Sequence, residues 1–156
     1  MNNIVRVLIS LAIPLAIGYL GSTFTTPEID GWYQSLRKPA WQPPPAVFGP
    51  VWTTLYVLMG IAFFLVWKRD APLVAKRPAM VLFFVQLVLN LLWSFLFFRE
   101  HAPGWALIDI IGLWVTLFIT ILAFAGVSKV AAWLLVPYIS WVSFATILNY
   151  TIWSLN

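Results

Sequence analysis

The chain has 156 residues, 62% of them hydrophobic and 9% charged, with a mean hydropathy of +0.92. A water-soluble domain carries about 25% charged residues, so lipid must be the solvent here, with room for one membrane domain over residues 1–156. The net charge of +4 is scattered at the ends of apolar runs, which excludes a basic nucleic-acid face; the lack of Cys excludes disulfides, a thiol nucleophile and Cys-ligated metal, and a lone His101 makes no metal cluster.

Five apolar runs are long enough to cross a bilayer: 4–24, 47–67, 78–98, 104–124 and 131–153. At 1.5 Å rise per residue each covers roughly 30 Å, the hydrocarbon thickness. The expected fold is therefore an all-α integral membrane protein, a bundle of five transmembrane helices with a long loop between the first two. In the first run Arg6 precedes a long apolar stretch, as in a signal peptide, but no small-x-small cleavage site follows. Pro14 and Pro137 lie inside runs and predict kinks or freed carbonyls. Thr26-Pro27, Pro43-Pro44-Pro45, Pro72, Pro78 and Pro103-Gly104 read as breaks between runs.

Segment 31–45, GWYQSLRKPAWQPPP, packs two tryptophans, a tyrosine, a basic pair and four prolines into the one long polar stretch. An aromatic, proline-stiffened loop over apolar helices predicts a lid over a pocket. In the second run Phe48, Trp52 and Tyr56 recur at steps of four, on one helix face. In the third run Gln86, Asn90 and Ser94 do the same. Polar groups within hydrocarbon turn toward the bundle interior, either to line a pocket or to hold helices together.

Asp109, in the fourth run, is followed by Gly112, Thr116 and Thr120 at similar steps. With no second intramembrane acid or base to form a relay, a structural hydrogen bond is its expected role. In the fifth run Trp141, Ala145 and Asn149 form a row in which a ring beside a small residue leaves a slot for a flat molecule. Trp67, Trp105, Trp133 and Trp153 fall at run ends, as an interfacial belt does. No Ser/His/Asp group, HExxH or phosphate loop appears, so no catalytic residue and no metal site is expected.

Six basic residues (Arg6, Lys68, Arg69, Lys76, Arg77, Lys129) fall on one side of such a bundle and three (Arg37, Lys38, Arg99) on the other. The positive-inside rule then puts the amino terminus in the cytoplasm and the 31–45 loop outside, in a bacterial-type cell membrane. The count leaves an outer membrane open.

Across nearly its whole length the chain resembles the TspO/translocator protein family, also called tryptophan-rich sensory proteins or peripheral-type benzodiazepine receptors. The resemblance rests on Trp32-Tyr33-x-x-Leu36-x-Lys38-Pro39-x-Trp41-x-Pro43-Pro44 and on Phe48-Gly49-x-x-Trp52-x-x-Leu55-Tyr56. It continues through Asn90-x-x-Trp93-Ser94, Trp133-Leu134-Leu135-x-Pro137-Tyr138-x-x-Trp141 and Ala145-Thr146-x-Leu148-Asn149-Tyr150. It implies a bacterial member: a five-helix bundle, usually a homodimer, that binds porphyrins such as protoporphyrin IX, and benzodiazepine-type ligands, beneath its first loop.

By that resemblance the binding residues are Tyr33, Pro43, Trp52, Gln86, Asn90, Trp93, Ser94, Trp141, Phe144 and Ala145, with no tightly bound cofactor. The implied role is a receptor in tetrapyrrole sensing or regulation, with Arg37 or Lys38 near the mouth to meet propionates. Two alternatives stand beside it: transport of porphyrin or another amphipath, with Asp109 as the one coupling group, and light-dependent porphyrin breakdown linked to Trp52 and Trp141. The cholesterol-contact motif of animal members is incomplete here. Leu148 and Tyr150 are present but no basic residue follows, which argues against sterol binding.

Overall fold

A computed structural model describes all of residues 1–156. The chain is helical with no strands. Its elements are α1 (Asn3–Ile29), a single turn α2 (Trp32–Ser35), α3 (Pro45–Lys68), α4 (Leu73–Ser94) prolonged by a π-helical turn (Phe95–Arg99), α5 (Pro103–Ala125), α6 (Lys129–Leu134) and α7 (Val136–Leu155). Taking α4 with its π turn and α6 with α7, five spans are long and apolar enough to cross a membrane, and between 17% and 39% of each is buried inside the bundle. The remaining surface is apolar too, with Leu8, Val88, Ile108, Ile119 and Ile147 exposed. Such an outer face is stable only against lipid.

The helices run past the ends expected from sequence. Pro27 does not stop α1, which continues to Ile29, and Pro78 lies inside α4, whose N-cap is Pro72. A proline lacks only one N–H, and the packed bundle tolerates the freed carbonyl. Pro137 acts as expected: the fifth span is split at Leu135 into α6 and α7, with the proline in the first turn of α7, where a missing N–H costs nothing. Ser128 caps α6 by accepting a hydrogen bond from the Ala131 amide at 3.2 Å.

Pro14 leaves the Ser10 carbonyl without its usual helical donor, and α3 comes closest at that level. A Cβ placed on Gly60 would lie 2.7 Å from the Ser10 oxygen and 2.9 Å from the Leu11 Cα, so only glycine fits. Helix α1 packs on α3 and α4, α4 on α5, α5 on α7, and α3 on α6.

The two ends of the bundle differ. At the end holding the α3 C-terminus, the core is solid: Phe63 stacks on Phe83 (4.8 Å between centroids), Phe83 on Phe124 (5.9 Å), and Met59, Val66, Ala79 and Leu117 fill the rest. The carboxyl end of α3 is closed by Lys76, whose Nζ donates to the carbonyls of Trp67 (2.7 Å) and Arg69 (2.9 Å). The other end, under α2, is hollow.

Candidate functional site

The hollow is a cavity of about 570 Å³ walled by α1, α3, the α4 π turn and α7, with Tyr33 of α2 reaching in. Its aromatic lining comes from local helix geometry. On α3 the four-residue steps put Phe48, Trp52 and Tyr56 on one face; on α7 Trp141, Phe144, Ala145 and Leu148 share another. At the end of α4 the π turn adds a residue to the helical repeat, shown by the Glu100 amide donating to Phe95 O at 3.0 Å. The extra residue brings both Phe97 and Phe98 inward, where they pack on Tyr33.

Trp52 is the centre of the aromatic wall. It lies against Tyr56 (5.8 Å) and meets Trp141 edge-on (6.5 Å, 87°). Trp141 continues to Phe48 (6.1 Å) and Phe144 (5.4 Å). The opposite wall is Trp93, stacked on Phe97 at 5.3 Å. Its Nε1 donates to Asn149 Oδ1 (2.9 Å), and Asn149 Nδ2 donates to the Pro103 carbonyl (2.9 Å), so one amide locks α4, α7 and the start of α5 together. The sequence shows Asn149 only as the tail of a row, and its bridging role needs the partner helices to be seen.

Seven of the ten expected residues line the cavity: Tyr33, Trp52, Trp93, Ser94, Trp141, Phe144 and Ala145. Gln86, Asn90 and Pro43 do not. Gln86 and Asn90 lie deeper than the cavity floor, in a closed relay. Tyr56 Oη donates to Asn90 Oδ1 (2.7 Å), Asn90 Nδ2 donates to Tyr138 Oη (2.7 Å), and Tyr138 Oη donates to Gln86 Oε1 (2.7 Å). The amides are used up in holding α3, α4 and α7 together, and neither lines the cavity. Pro43 belongs to the turn leading to α3 and sets its entry rather than the wall.

Replacing Asn90 with Leu, of similar size, strands the Tyr56 and Tyr138 hydroxyls and is expected to cost about 1–3 kcal/mol of stability. Thermal unfolding in detergent measures this, and an unchanged midpoint would show the relay to be ornamental.

Asp109 is also unlike its expectation. It is buried in α5, its Oδ2 has no hydrogen-bond partner, and it does not line the cavity. Of the run that follows it, Thr120 is fully buried and turns its hydroxyl onto the Thr116 carbonyl at 2.7 Å. Of the four expected belt residues, Trp105, Trp133 and Trp153 are exposed, at 68%, 72% and 49%, while Trp67 is half-buried and packs on Phe63 (5.9 Å).

The roof over the cavity is bound on three sides. Trp32 stacks flat on His101 (4.2 Å, 5°), and His101 Nε2 lies 3.0 Å from Glu28 Oε2, joining α2, the α4–α5 connection and the end of α1. His101 has φ 52°, a left-handed conformation that a non-glycine residue adopts at some cost. The Asn156 side chain accepts from the Arg37 amide (3.1 Å) and donates to its carbonyl (2.9 Å), fastening the loop to the end of α7. Lys38 Nζ donates to the carbonyls of Tyr33 (2.7 Å), Leu36 (3.0 Å) and Gln34 (3.2 Å), closing the C-terminus of α2, while burial draws its pKa below the ordinary lysine value.

Tyr33 is buried beneath this roof, with Oη on Gln42 Oε1 at 3.1 Å. Burial pushes its pKa up to about 12 from 10.0. The phenol stays neutral in the fold while an unfolded chain ionises it near 10. Its contribution to stability is therefore complete below pH 10 and lost as the pH rises through 12. Melting temperatures across that window should fall for the native chain and fall less for Tyr33→Phe; parallel curves would contradict the assignment.

The arrangement can hold a flat apolar molecule between indole faces. A volume of about 570 Å³ suits one, since small-molecule sites run about 300–1,000 Å³. It offers no nucleophile–base pair and no cluster of metal-binding side chains.

Comparison with known proteins agrees with this architecture. The TspO/MBR family model matches residues 10–154. The tryptophan-rich protein TspO of Chlorobaculum tepidum is 46% identical, over 99% of this chain and 98% of that one. The protein of the same name from Archaeoglobus fulgidus is 42% identical over 99% of both chains. The human translocator protein is 42% identical over 88% of this chain and 82% of its own. With five membrane-crossing helices and a family match running through all of them, the chain is a multi-pass membrane protein that belongs to the TspO/MBR family.

Proposed function

We propose that this protein is a membrane receptor for a porphyrin, of the protoporphyrin IX type, held in the cavity beneath α2. The observation that carries this reading is the cavity itself: indoles of Trp52, Trp93 and Trp141 and the Phe97 and Phe144 rings border one space with few polar groups. Offset or edge-on aromatic contact is the favourable geometry for a large π-system. The family's tryptophan-rich and translocator members support a sensory or binding role in a membrane. Benzodiazepine-type ligands, also flat and aromatic, fit the same walls. The basic residues at the solid end of the bundle favour placing the amino terminus in the cytoplasm, with the roof on the opposite face.

The test is a titration of the detergent-solubilised protein with protoporphyrin IX, following tryptophan fluorescence. Saturable quenching is expected, because the wall tryptophans would touch the ring. Quenching that rises linearly without saturation, as in empty micelles, would sink the reading.

A second reading, light-dependent breakdown of the bound porphyrin by dioxygen, is favoured by one feature: Trp52 and Trp141 both face the cavity, 6.5 Å apart. Illumination of the complex should then bleach the porphyrin faster than illumination of porphyrin in micelles alone. Equal rates would remove this activity without touching the binding reading.

A further inference from the structure

We infer that the cavity is loaded sideways from the bilayer, through the cleft between α1 and α3, while the roof over it stays shut. The route presupposes the porphyrin-binding reading and says how the ligand reaches its site. The observation is where the lining residues meet the outside. On α1, Leu15, Tyr19 and Ser22 line the cavity and are exposed; on α3, Ala46, Gly49 and Thr53 do the same. Tyr19 is 71% exposed although its side chain borders the cavity. The lining residues from α4, its π turn and α7 are all buried or half-buried. The cavity thus has a wall missing on one side, at membrane depth.

The cleft is built into the packing. Helices α1 and α3 touch at Gly60 and again at Gly18, where a Cβ would lie 2.6 Å from the Tyr56 ring. Beyond Gly18 they part. At Gly49 a Cβ would meet nothing within 4 Å. Two rim hydroxyls are satisfied within their own helices, Ser22 Oγ on the Tyr19 carbonyl (2.6 Å) and Thr53 Oγ1 on the Gly49 carbonyl (2.9 Å). Those two side chains therefore set no unpaired donor in the path of a ring.

The roof has the opposite character. The Trp32–His101–Glu28 stack and the Asn156 clasp on Arg37 tie it to the α4–α5 connection, the end of α1 and the end of α7, and the Lys38 cap stiffens it from within. An entry route through it would break these contacts together. A porphyrin is itself an amphipath that dissolves in bilayers, with its ring among the chains and its propionates at the surface. It can slide edge-first between the helices with no passage through water.

Association kinetics decide between the two routes. Stopped-flow quenching with protoporphyrin IX in reconstituted vesicles would compare the native chain with Gly49→Phe and Ser22→Phe, which narrow the cleft, and with His101→Ala, which loosens the roof. The cleft variants sit where there is open space or exposure, so both are expected to fold, and size-exclusion profiles verify it. Each should slow association by about tenfold and slow dissociation as well, whereas a side chain that only crowded the cavity would speed dissociation. His101→Ala should leave association within about twofold of the native rate. Cleft variants that load at the native rate, or a roof variant that loads faster, would overturn the sideways route while leaving the site intact. Absence of saturable binding in the native chain would instead remove the occupant itself, and the route with it.

Discussion

Replacing Trp141 with Ala is expected to weaken protoporphyrin IX binding by at least about tenfold, the loss of roughly 1.4 kcal/mol or more of contact. Trp141 joins Trp52, Phe48 and Phe144 into one wall, and its removal leaves that wall broken at the middle. Part of the loss comes from the ring itself and part from Trp52, whose edge then lacks support. The shift of the porphyrin absorption band is the better readout here, because deleting a tryptophan also deletes fluorescence. Trp133→Ala is the control: that ring is 72% exposed and does not line the cavity, so affinity should hold. Equal loss in both variants would mean that the ligand sits elsewhere.

The second large effect concerns folding. Gly60→Leu should destabilise the protein by about 3 kcal/mol or more, because the new side chain meets backbone rather than a movable side chain. The Ser10 carbonyl stands 2.7 Å from the position of the added Cβ, and the Leu11 Cα 2.9 Å. Relief requires α1 to leave α3, which would also disturb the cavity wall formed higher on the same pair of helices. Gly49→Ala, with free space around it, should leave the melting temperature unchanged. If the two glycine variants melt together, the close approach of α1 and α3 is not what holds the bundle.

The number of spans and their order were legible because the relevant signal, about twenty apolar residues in a row, is local. Their ends were less so. Thr26-Pro27 and Pro78 read as breaks, yet helix packing carries both prolines inside helices. The faces of α3 and α7 were also legible, since spacing by four is a property of a single helix: Trp52 and Tyr56, and Trp141 and Ala145, do share the cavity.

What spacing on α4 could not show is depth. Gln86, Asn90 and Ser94 form one polar row, but only Ser94 reaches the cavity; the two amides are spent on tyrosine hydroxyls from other helices. The π turn escaped for a related reason. Nothing in Phe95–Arg99 distinguishes an added residue from a continued α-helix until the turn is packed. His101 looked like an isolated side chain, and only the fold sets it between Trp32 and Glu28. The loop at 31–45 was expected as a lid, and it does cover the cavity, held by Trp32 on His101 and by the Asn156 clasp on Arg37.

A structure of the protein with protoporphyrin IX bound, determined in a lipid environment, tests the central claim most directly. The account predicts the ring inside the cavity, in contact with Trp52, Trp93 and Trp141, with Gln86 and Asn90 still bonded to Tyr138 and Tyr56. A ring lying on the lipid-facing surface, with the cavity closed or filled by side chains, would contradict it.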